Sequence, residues 1–231
     1  MNRRPIVTFS THALVEVLRA LQPDFEAEQD CRLAFAFDPS QAIRRRVAEG
    51  EAFDIVVGTR EMIDALAAEG WVAPETRATI GRTGLGISVR AGAARPDLGS
   101  VEAFKRALLT AKSVVRSREG ASGSAFADVL ERLGIADAMR DKVIVAGSGR
   151  VAEYAARGEA EMAVQQISEL VPVQGADFVG PFPPELQRET VFAAAVSSAS
   201  EARAAAEAFV ALLTAPVSAP VFRANGLAPA G

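Results

Sequence analysis

The stretch PSQAIRRRVAEGEAFDIVVGTREMIDALAAEG, residues 39–70, contains the alternation that decides the fold. Its pattern predicts a helix over residues 39–49, a short buried strand over residues 54–58 and a second helix over residues 60–69. Gly70 then stands where a helix commonly ends in the left-handed conformation. A short apolar strand between two helices is the unit from which α/β folds are built, so this stretch predicts that class.

The same alternation continues towards both ends of the chain. Apolar residues recur at helical spacing from Ala13 to Glu28, where Pro23 is expected to interrupt the helix and restart it. Ser100 is expected to cap a helix that reaches about Ala111, and residues 81–84 are expected to form a glycine-rich turn. Strand-like runs are predicted at residues 6–11, 33–37, 54–58, 85–89, 113–116, 142–145, 162–166, 177–179 and 190–196. Repeated strand–helix–strand units predict an α/β fold with largely parallel sheets.

Composition excludes several classes of function. The 231 residues carry 25 Lys and Arg against 29 Asp and Glu, a net charge of -4, which argues against a nucleic-acid partner. The single cysteine, Cys31, rules out an internal disulfide, and the single histidine, His12, leaves too few ligands for a zinc site of the Cys/His type. We therefore expect no metal and no cofactor.

Hydropathy predicts a soluble protein. No apolar run approaches the roughly 20 residues of a membrane-spanning helix. The charged residues Asp24 and Glu26 follow the first apolar run too soon for a signal peptide. The expected location is the cytoplasm if Met1 is the native start, and the periplasm if a leader has been removed.

Small polar residues or glycine stand in three predicted loops where a strand feeds a helix: Ser10-Thr11-His12, Asp38-Pro39-Ser40 and residues 120–124. The N–H groups of a helix N-terminus bind anions, and in open α/β sheets the ligand lies beyond the carboxyl ends of the strands. Together the three loops predict an anion site. The alternative is that each serine only caps its helix.

Other residue types extend the candidate set. His12 is suited to contacting a ligand carboxylate or to acting as a general base, and the alternative is a capping or surface imidazole. Gln165 and Gln166 end an apolar strand, and side-chain alternation sends one of them towards a cleft unless they face a loop. Four arginines lie near predicted strand ends, and at most two are expected in a site: Arg82, Arg116, Arg118 and Arg150.

Motifs along nearly the whole chain resemble those of type 2 periplasmic solute-binding proteins, specifically the molybdate-binding-protein-like family. They are VTFSTHAL at 7–14, RVAEGEAFD at 46–54, EGASG at 119–123 followed by LERLG at 130–134, GEAEMA at 158–163 and FRANG at 222–226. Each motif is weak alone, but their order and spacing together are specific.

The resemblance implies two α/β lobes joined by two hinge strands, near residues 83–89 and 190–196. Lobe 1 would be discontinuous, comprising residues 1–83 and 190–231, and lobe 2 would comprise residues 84–189. In such proteins the ligand lies between the lobes, which close on it by hinge motion.

The resemblance also implies which residues contact the ligand. Molybdate binders hold the oxyanion with serine hydroxyls, backbone N–H groups and a tyrosine hydroxyl. Their first-loop serine falls on Ala13, beside Ser10 and Thr11, and their tyrosine falls on Gln166. Because one hydroxyl is lost and the tyrosine is replaced, an organic carboxylate suits this sequence at least as well as molybdate.

The second-loop serine of the molybdate binders falls on Ser40, and the loop of their second lobe falls on Ser122 and Gly123. No catalytic residue is assigned. The candidate ligand-binding residues are Ser10, Thr11, His12, Ser40, Arg82, Ser122, Gly123 and Gln166.

Three functions are compatible with this reading. The favoured one is a monomeric solute-binding protein without catalysis, which captures a small anion in the interlobe cleft and delivers it to the membrane subunits of an ABC transporter. The first alternative is an enzyme resembling aconitate isomerase, with His12 or Glu119 as the base. The second is a cytoplasmic sensor similar to the effector domains of LysR-type regulators, although no DNA-reading helix-turn-helix precedes Ile6.

Overall fold

The computed structural model describes residues 4–118, 121–147 and 149–230. The chain folds into two compact units. Unit 1 comprises Met1–Arg82 and Val191–Gly231, and unit 2 comprises Thr83–Thr190. Each unit contains one β-sheet flanked by helices, so the predicted α/β class is confirmed.

The first part of the chain alternates strands and helices as far as the first crossing between the units. Short 3-10 helices lie at His12–Leu14 and Pro74–Thr76. The regular elements are β1 Ile6–Ser10, α1 Val15–Gln29, β2 Leu33–Phe37, α2 Ser40–Ala48, β3 Ile55–Thr59, α3 Arg60–Ala68 and β4 Ala78–Thr83.

The middle of the chain builds unit 2, and the chain then returns to unit 1. The elements of the middle part are β5 Leu85–Arg90, α4 Val101–Thr110, β6 Val114–Ser117, α5 Ala121–Arg132, α6 Ala136–Met139, β7 Val143–Ala146, α7 Ala152–Ala156, β8 Met162–Gln166, α8 Ile167–Leu170 and β9 Ala176–Pro181. The returning part consists of β10 Thr190–Val196, α9 Arg203–Thr214, a 3-10 helix at Pro216–Ser218, α10 Ala219–Ala224 and β11 Ala228–Pro229.

Both sheets are mixed rather than largely parallel. Unit 1 has the strand order β11-β4-β10-β3-β1-β2, in which β1 is parallel to β2 and β3 whereas β10 is antiparallel to β3. Unit 2 has the order β7-β6-β8-β5-β9, in which β6 is parallel to β7 and β8 whereas β5 is antiparallel to β8 and β9. The prediction of largely parallel sheets was therefore wrong. Apolar patterning marks a strand but carries no information on its direction.

Two apolar layers cover each sheet. In unit 1, one face packs against α1 and α9 through residues such as Leu18 and Phe209, and the other packs against α2 and α3 through Ile43 and Ile63. Unit 2 has the same arrangement, with one cluster centred on α4 and α5 and a smaller one on α7 and α8. Sheets buried on both faces leave their strand ends as the places where polar groups can gather.

Two local predictions need correction, and one is confirmed. Pro23 lies inside the continuous helix α1, on its exposed side, where the unmade hydrogen bond to the exposed residue Arg19 faces water. Residues 78–83 form strand β4, where a turn was predicted at residues 81–84. A Cβ on Gly81 would lie 2.7 Å from the carbonyl oxygen of Ala228, so this glycine permits close strand approach. Ser100 caps α4, as predicted, by accepting a hydrogen bond from the N–H of Ala103.

Among the described residues, no single helix is long and apolar enough to cross a membrane. In the part of the chain that the structure describes, one pair of helices, Arg203–Thr214 and Pro216–Ala224, qualifies jointly by length and composition, and it bends by 59° at the break.

Candidate functional site

In unit 1, the parallel pairing of β1, β2 and β3 brings the loops after β1 and β2 to one edge of the sheet. The N–H of Asp38, just after β2, donates to the carbonyl oxygen of Ser10 at 3.0 Å. The N–H of Thr11 donates to the carbonyl oxygen of Val57 in β3 at 3.2 Å. The two predicted loops of this unit, at Ser10 and at Ser40, therefore lie together.

Thr11 carries a buried hydroxyl with no hydrogen-bond partner among the described residues. The residue is only 7% exposed and adopts an extended conformation at the start of the 3-10 helix. The neighbouring Ser10 hydroxyl is fully buried and donates to the carbonyl oxygen of Thr11 at 3.3 Å. A buried hydroxyl without a partner costs about 1–3 kcal/mol, and a ligand acceptor would remove that cost.

The remaining candidates of unit 1 occupy different positions. His12 begins the 3-10 helix and is partly buried. Ser40 is the first residue of α2, whereas Pro39 holds the N-cap position, so the serine is not the cap that the alternative interpretation required. Arg82 lies exposed on β4 opposite Ala228, rather than on one of the loops that follow β1, β2 or β3.

The carboxylate of Asp38 at this edge is paired with Arg46, which also bonds Glu51 at 2.5 Å. Hydrogen bonds to these two carboxylates raise the pKa of Arg46. The guanidinium also stacks over the ring of Phe9, with its central carbon 4.2 Å from the ring centroid. The negative charge of Asp38 is thereby offset, so it does not repel an anion at full strength.

In unit 2, a close approach joins the end of β6 to the first turn of α5. The hydroxyls of Ser117 and Ser122 lie 3.3 Å apart, and both residues are buried. A Cβ on Gly123 would lie 2.3 Å from the carbonyl oxygen of Ser117, so only glycine fits. Arg116 donates to the carbonyl oxygens of Ser117 and Gly123 at 3.2 and 3.4 Å. The N-terminal turn of this 12-residue helix is thus fixed beside two hydroxyls, an arrangement suited to an anion. The candidate base Glu119 lies outside the described residues.

The two glutamines at the end of β8 point in opposite directions, as the alternation predicts. Gln166 is buried and donates from Nε2 to the hydroxyl of Thr190 at 2.9 Å. Gln165 faces the loop after β7: its Oε1 accepts from the N–H of Val151 at 2.9 Å and its Nε2 donates to the carbonyl oxygen of Gly149 at 3.2 Å. Loop contact is therefore the role of Gln165.

Sequence reasoning missed Glu169, a buried carboxyl group at the same end of unit 2. It accepts a hydrogen bond from Nε2 of Gln165 at 2.9 Å. Burial raises the pKa of Glu169 to about 7, although the positive charge of Arg150 acts in the opposite direction. The available signal was an acidic residue between Ile167 and Leu170, directly after a buried strand.

The polar groups at these strand ends are mainly hydroxyls, amides and N–H groups. Within residues 4–118, 121–147 and 149–230, no group of three or more His, Cys, Asp or Glu side chains is placed to hold a metal ion. Hydrogen-bond donors of this kind suit an anionic ligand.

Comparison with known proteins gives one family match and several relatives. The model of the bacterial extracellular solute-binding protein family matches residues 6–228. An aconitate isomerase from Pseudomonas sp. is 32% identical over 235 residues, covering 98% of this chain and 89% of the relative.

Solved structures are similar in fold at lower identity. The periplasmic molybdate-binding protein of Azotobacter vinelandii superposes with a TM-score of 0.81 at 18% identity, covering 98% of this chain and 100% of its own. The sulfate-binding protein SubI of Mycobacterium tuberculosis gives a TM-score of 0.76 at 19% identity, covering 98% of this chain and 87% of its own. The fold is therefore that of the two-lobed periplasmic binding proteins.

Proposed function

Because the chain belongs to the family of bacterial extracellular solute-binding proteins, of the type 2, molybdate-binding-like kind, we propose that it captures a small anion. The groups that contact the anion are those at the carboxyl ends of the parallel strands of each unit. Ser10, Thr11 and Ser40 belong to unit 1, and Ser122 and Gly123 to unit 2.

The observation that carries this proposal is the buried hydroxyl of Thr11. It has no hydrogen-bond partner in the described part of the chain, and it lies where two loops are joined by the bond from Asp38 to Ser10. An unpaired buried hydroxyl is destabilising, so a ligand acceptor at Thr11, which directly follows β1, would stabilise the fold. The other unpaired buried hydroxyls of the described residues, at Thr8, Ser88 and Ser168, lie within β1, β5 and α8. A hydroxyl can donate as well as accept, and an anion supplies an acceptor for its hydrogen.

The anion we propose is an organic carboxylate with more than one acidic group. Ala13 and Gln166 stand where the resemblance to molybdate binders places a serine and a tyrosine, so two hydroxyls of an oxyanion site are missing. Ala13 is buried in the apolar cluster against α1, and Gln166 bonds Thr190. The relative with 32% identity, which is named for aconitate, supports the same class.

The test is a thermal-shift screen against molybdate, tungstate, sulfate, phosphate, citrate, both aconitates and simple dicarboxylates. A ligand at 100 times its Kd stabilises the folded state by about 2.7 kcal/mol. We expect the largest shifts with the di- and tricarboxylates. A shift with molybdate or tungstate alone would mean that the ligand is an oxyanion and not an organic anion. The absence of a shift with every anion tested would overturn the proposal.

A second candidate, favoured by the identity to aconitate isomerase, is an enzyme on the same scaffold. In such a reaction a base removes a proton from a carbon of the tricarboxylate, the double bond shifts, and the proton is returned at the other end of the three-carbon unit. His12, partly buried beside Thr11, is the candidate base within the described residues.

Proton NMR in D2O separates the two functions. Interconversion of cis- and trans-aconitate with deuterium incorporation, lost in His12→Asn, would establish the enzyme. Binding of either isomer without turnover would leave the solute-binding protein, whose partners would then be the membrane subunits of an ABC transporter.

A further inference from the structure

One buried side chain holds both backbone groups that flank Arg150. Gln165 is 2% exposed, and its amide bonds the carbonyl oxygen of Gly149 on one side and the N–H of Val151 on the other. Because its Oε1 must accept from that N–H, the orientation of the amide is fixed. The direction in which the backbone presents Arg150, at the carboxyl ends of β7 and β8, is therefore set by Gln165.

Glu169 holds Gln165 in turn. Its Oε1 accepts the second hydrogen of the Gln165 amide at 2.9 Å, so every polar atom of that amide is engaged. Glu169 is buried on α8, and the positive charge of Arg150 favours its ionised carboxylate and so lowers its pKa against the effect of burial. The carboxyl group of Glu169 therefore contacts Gln165, which positions Arg150, and its ionisation depends on the charge of Arg150.

The other charged groups on the elements around α8 are engaged elsewhere or exposed. Glu153 on α7 and Arg157, the residue directly after α7, form an ion pair of 3.7 Å with both side chains at least half exposed. On β9, Asp177 accepts a hydrogen bond from the N–H of Gly92, and Arg90 at the end of β5 is exposed. Across the described residues, Arg150 is thus the charge that acts on Glu169.

We propose that Arg150 binds a carboxylate of the ligand, that Gln165 positions Arg150, and that ionised Glu169 competes with the ligand for it. This inference rests on the proposed function, because it requires an organic anion bound at this end of unit 2. Arginine binds carboxylates through two parallel hydrogen bonds, which suits a multiply charged organic anion. Anion binding is then coupled to protonation of Glu169, and the coupling is reciprocal.

Isothermal titration calorimetry with trans-aconitate, at pH 6 and pH 8, tests the proposal. We expect the natural chain to lose affinity by about tenfold between the two values, and Glu169→Gln to keep its pH 6 affinity at pH 8. The probe is the same for both proteins, so its own titration cancels in the comparison. Repeating the titration in buffers of different ionisation enthalpy should show proton uptake in the natural chain and less in Glu169→Gln.

Substitutions at Arg150 and Gln165 separate binding from positioning. Arg150→Gln should weaken binding by about tenfold to a hundredfold at pH 6 and remove most of the pH dependence. Gln165→Met keeps Arg150 but removes the hydrogen bonds that hold the backbone on both sides of Arg150, so it should weaken binding. Arg150→Lys keeps the positive charge, so it should retain part of the affinity that Arg150→Gln loses. Arg157→Gln, which removes an exposed cation at the end of α7, is the matched control and should bind like the natural chain. Melting curves establish that each variant is folded.

The outcomes distinguish the two proposals. If the natural chain binds neither trans-aconitate nor any other anion of the thermal-shift screen, the proposed function fails, and this inference fails with it. If the natural chain binds trans-aconitate but Arg150→Gln binds equally well, or Glu169→Gln keeps the pH profile of the natural chain, only the inference is overturned.

Discussion

Gly123 lies so close to Ser117 that a Cβ on the glycine would stand 2.3 Å from the carbonyl oxygen of the serine. This approach sets the first turn of α5 directly against the end of β6, with Ser122 beside Ser117. Gly123→Ala should therefore displace the turn, lower the free energy of unfolding by about 1–3 kcal/mol and weaken anion binding. Chemical denaturation and calorimetry measure the two effects.

Gly180→Ala is the matched control for this substitution. Gly180 lies on β9, and its added Cβ would meet a side-chain carbon of Leu98 at 3.7 Å, an ordinary contact. We expect little change in stability and none in affinity. Equal effects of the two substitutions would show that the approach to Ser117 has no special role.

Thr11→Val should separate stability from binding. The valine has nearly the same shape but removes a buried hydroxyl without a partner in the described chain, so the free energy of unfolding should stay the same or rise. Affinity for the anion should fall by about 1–3 kcal/mol, because the ligand loses a donor. A variant that binds as well as the natural chain would contradict the role given to this hydroxyl.

Thr8→Val provides the control within the same strand. Its hydroxyl is also buried and unpaired among the described residues, but it lies inside β1, in register with Phe35 and Ile55. It should show the same effect on stability with no change in affinity. Comparison of Thr11→Val with Thr8→Val thus shows whether a loss of affinity comes from the hydroxyl at the strand end or from the loss of any buried hydroxyl in or directly after β1.

Sequence patterns were sufficient for most elements of the fold. The strand Thr190–Val196 has the predicted bounds, because a short apolar run with β-branched and aromatic residues between polar segments favours a strand. The patterns failed where the outcome depends on a neighbour distant in sequence. Strand direction is one case, and the approach of Gly81 to Ala228 is another.

The sequence predicted which loops form the candidate site but not the hydrogen-bond partners of its side chains. The loops at Ser10 and Ser40 were found, since residues that follow parallel strands must meet at one edge. The orientations of Gln165 and Gln166 followed from alternation, but their partners did not. Glu169 was missed because burial of its carboxyl group arises from tertiary packing, which no local pattern records.

Asp54 should contribute to stability but not to binding. Its fully buried carboxylate accepts from both terminal nitrogens of Arg4 at 2.9 and 3.0 Å, from the N–H of Val7 at 2.9 Å and from the hydroxyl of Ser200 at 2.7 Å. Asp54→Asn replaces an acceptor oxygen by a donor facing these donors. The free energy of unfolding should fall by about 2–3 kcal/mol, measured by denaturant titration.

Glu201→Gln is the control for the ion pair at Arg4. Glu201 lies 3.8 Å from Nε of Arg4 with its side chain 86% exposed, so its loss should change stability by less than about 0.5 kcal/mol. If Asp54→Asn lowered the free energy of unfolding by an equally small amount, the hydrogen bonds of the buried carboxylate to Val7 and Ser200 would not stabilise this part of the fold. Anion affinity of the folded Asp54→Asn variant should match that of the natural chain.

The stability of the chain should depend on pH through Glu169. Burial raises the pKa of this carboxyl group from 4.5 in the unfolded chain to about 7 in the folded state. Between these values the folded state holds a proton that the unfolded chain has released, so the free energy of unfolding falls as pH rises and levels off above about 7. Glu169→Gln keeps the hydrogen bond from Gln165 and carries no charge, so it escapes this loss.

The difference in stability between Glu169→Gln and the natural chain should therefore be small near pH 4.5 and grow towards pH 8, to a value on the order of 3 kcal/mol. Denaturant titrations at several pH values measure it, and contributions from groups common to both proteins cancel. Glu153→Gln removes an exposed carboxylate from the neighbouring α7, and its difference in stability from the natural chain should not grow over the same interval.

Arg150→Gln removes the charge that favours ionised Glu169, so the fall in the free energy of unfolding with pH should extend to higher pH than in the natural chain. A difference for Glu169→Gln that stays constant with pH would show that the carboxyl group is not held protonated by burial.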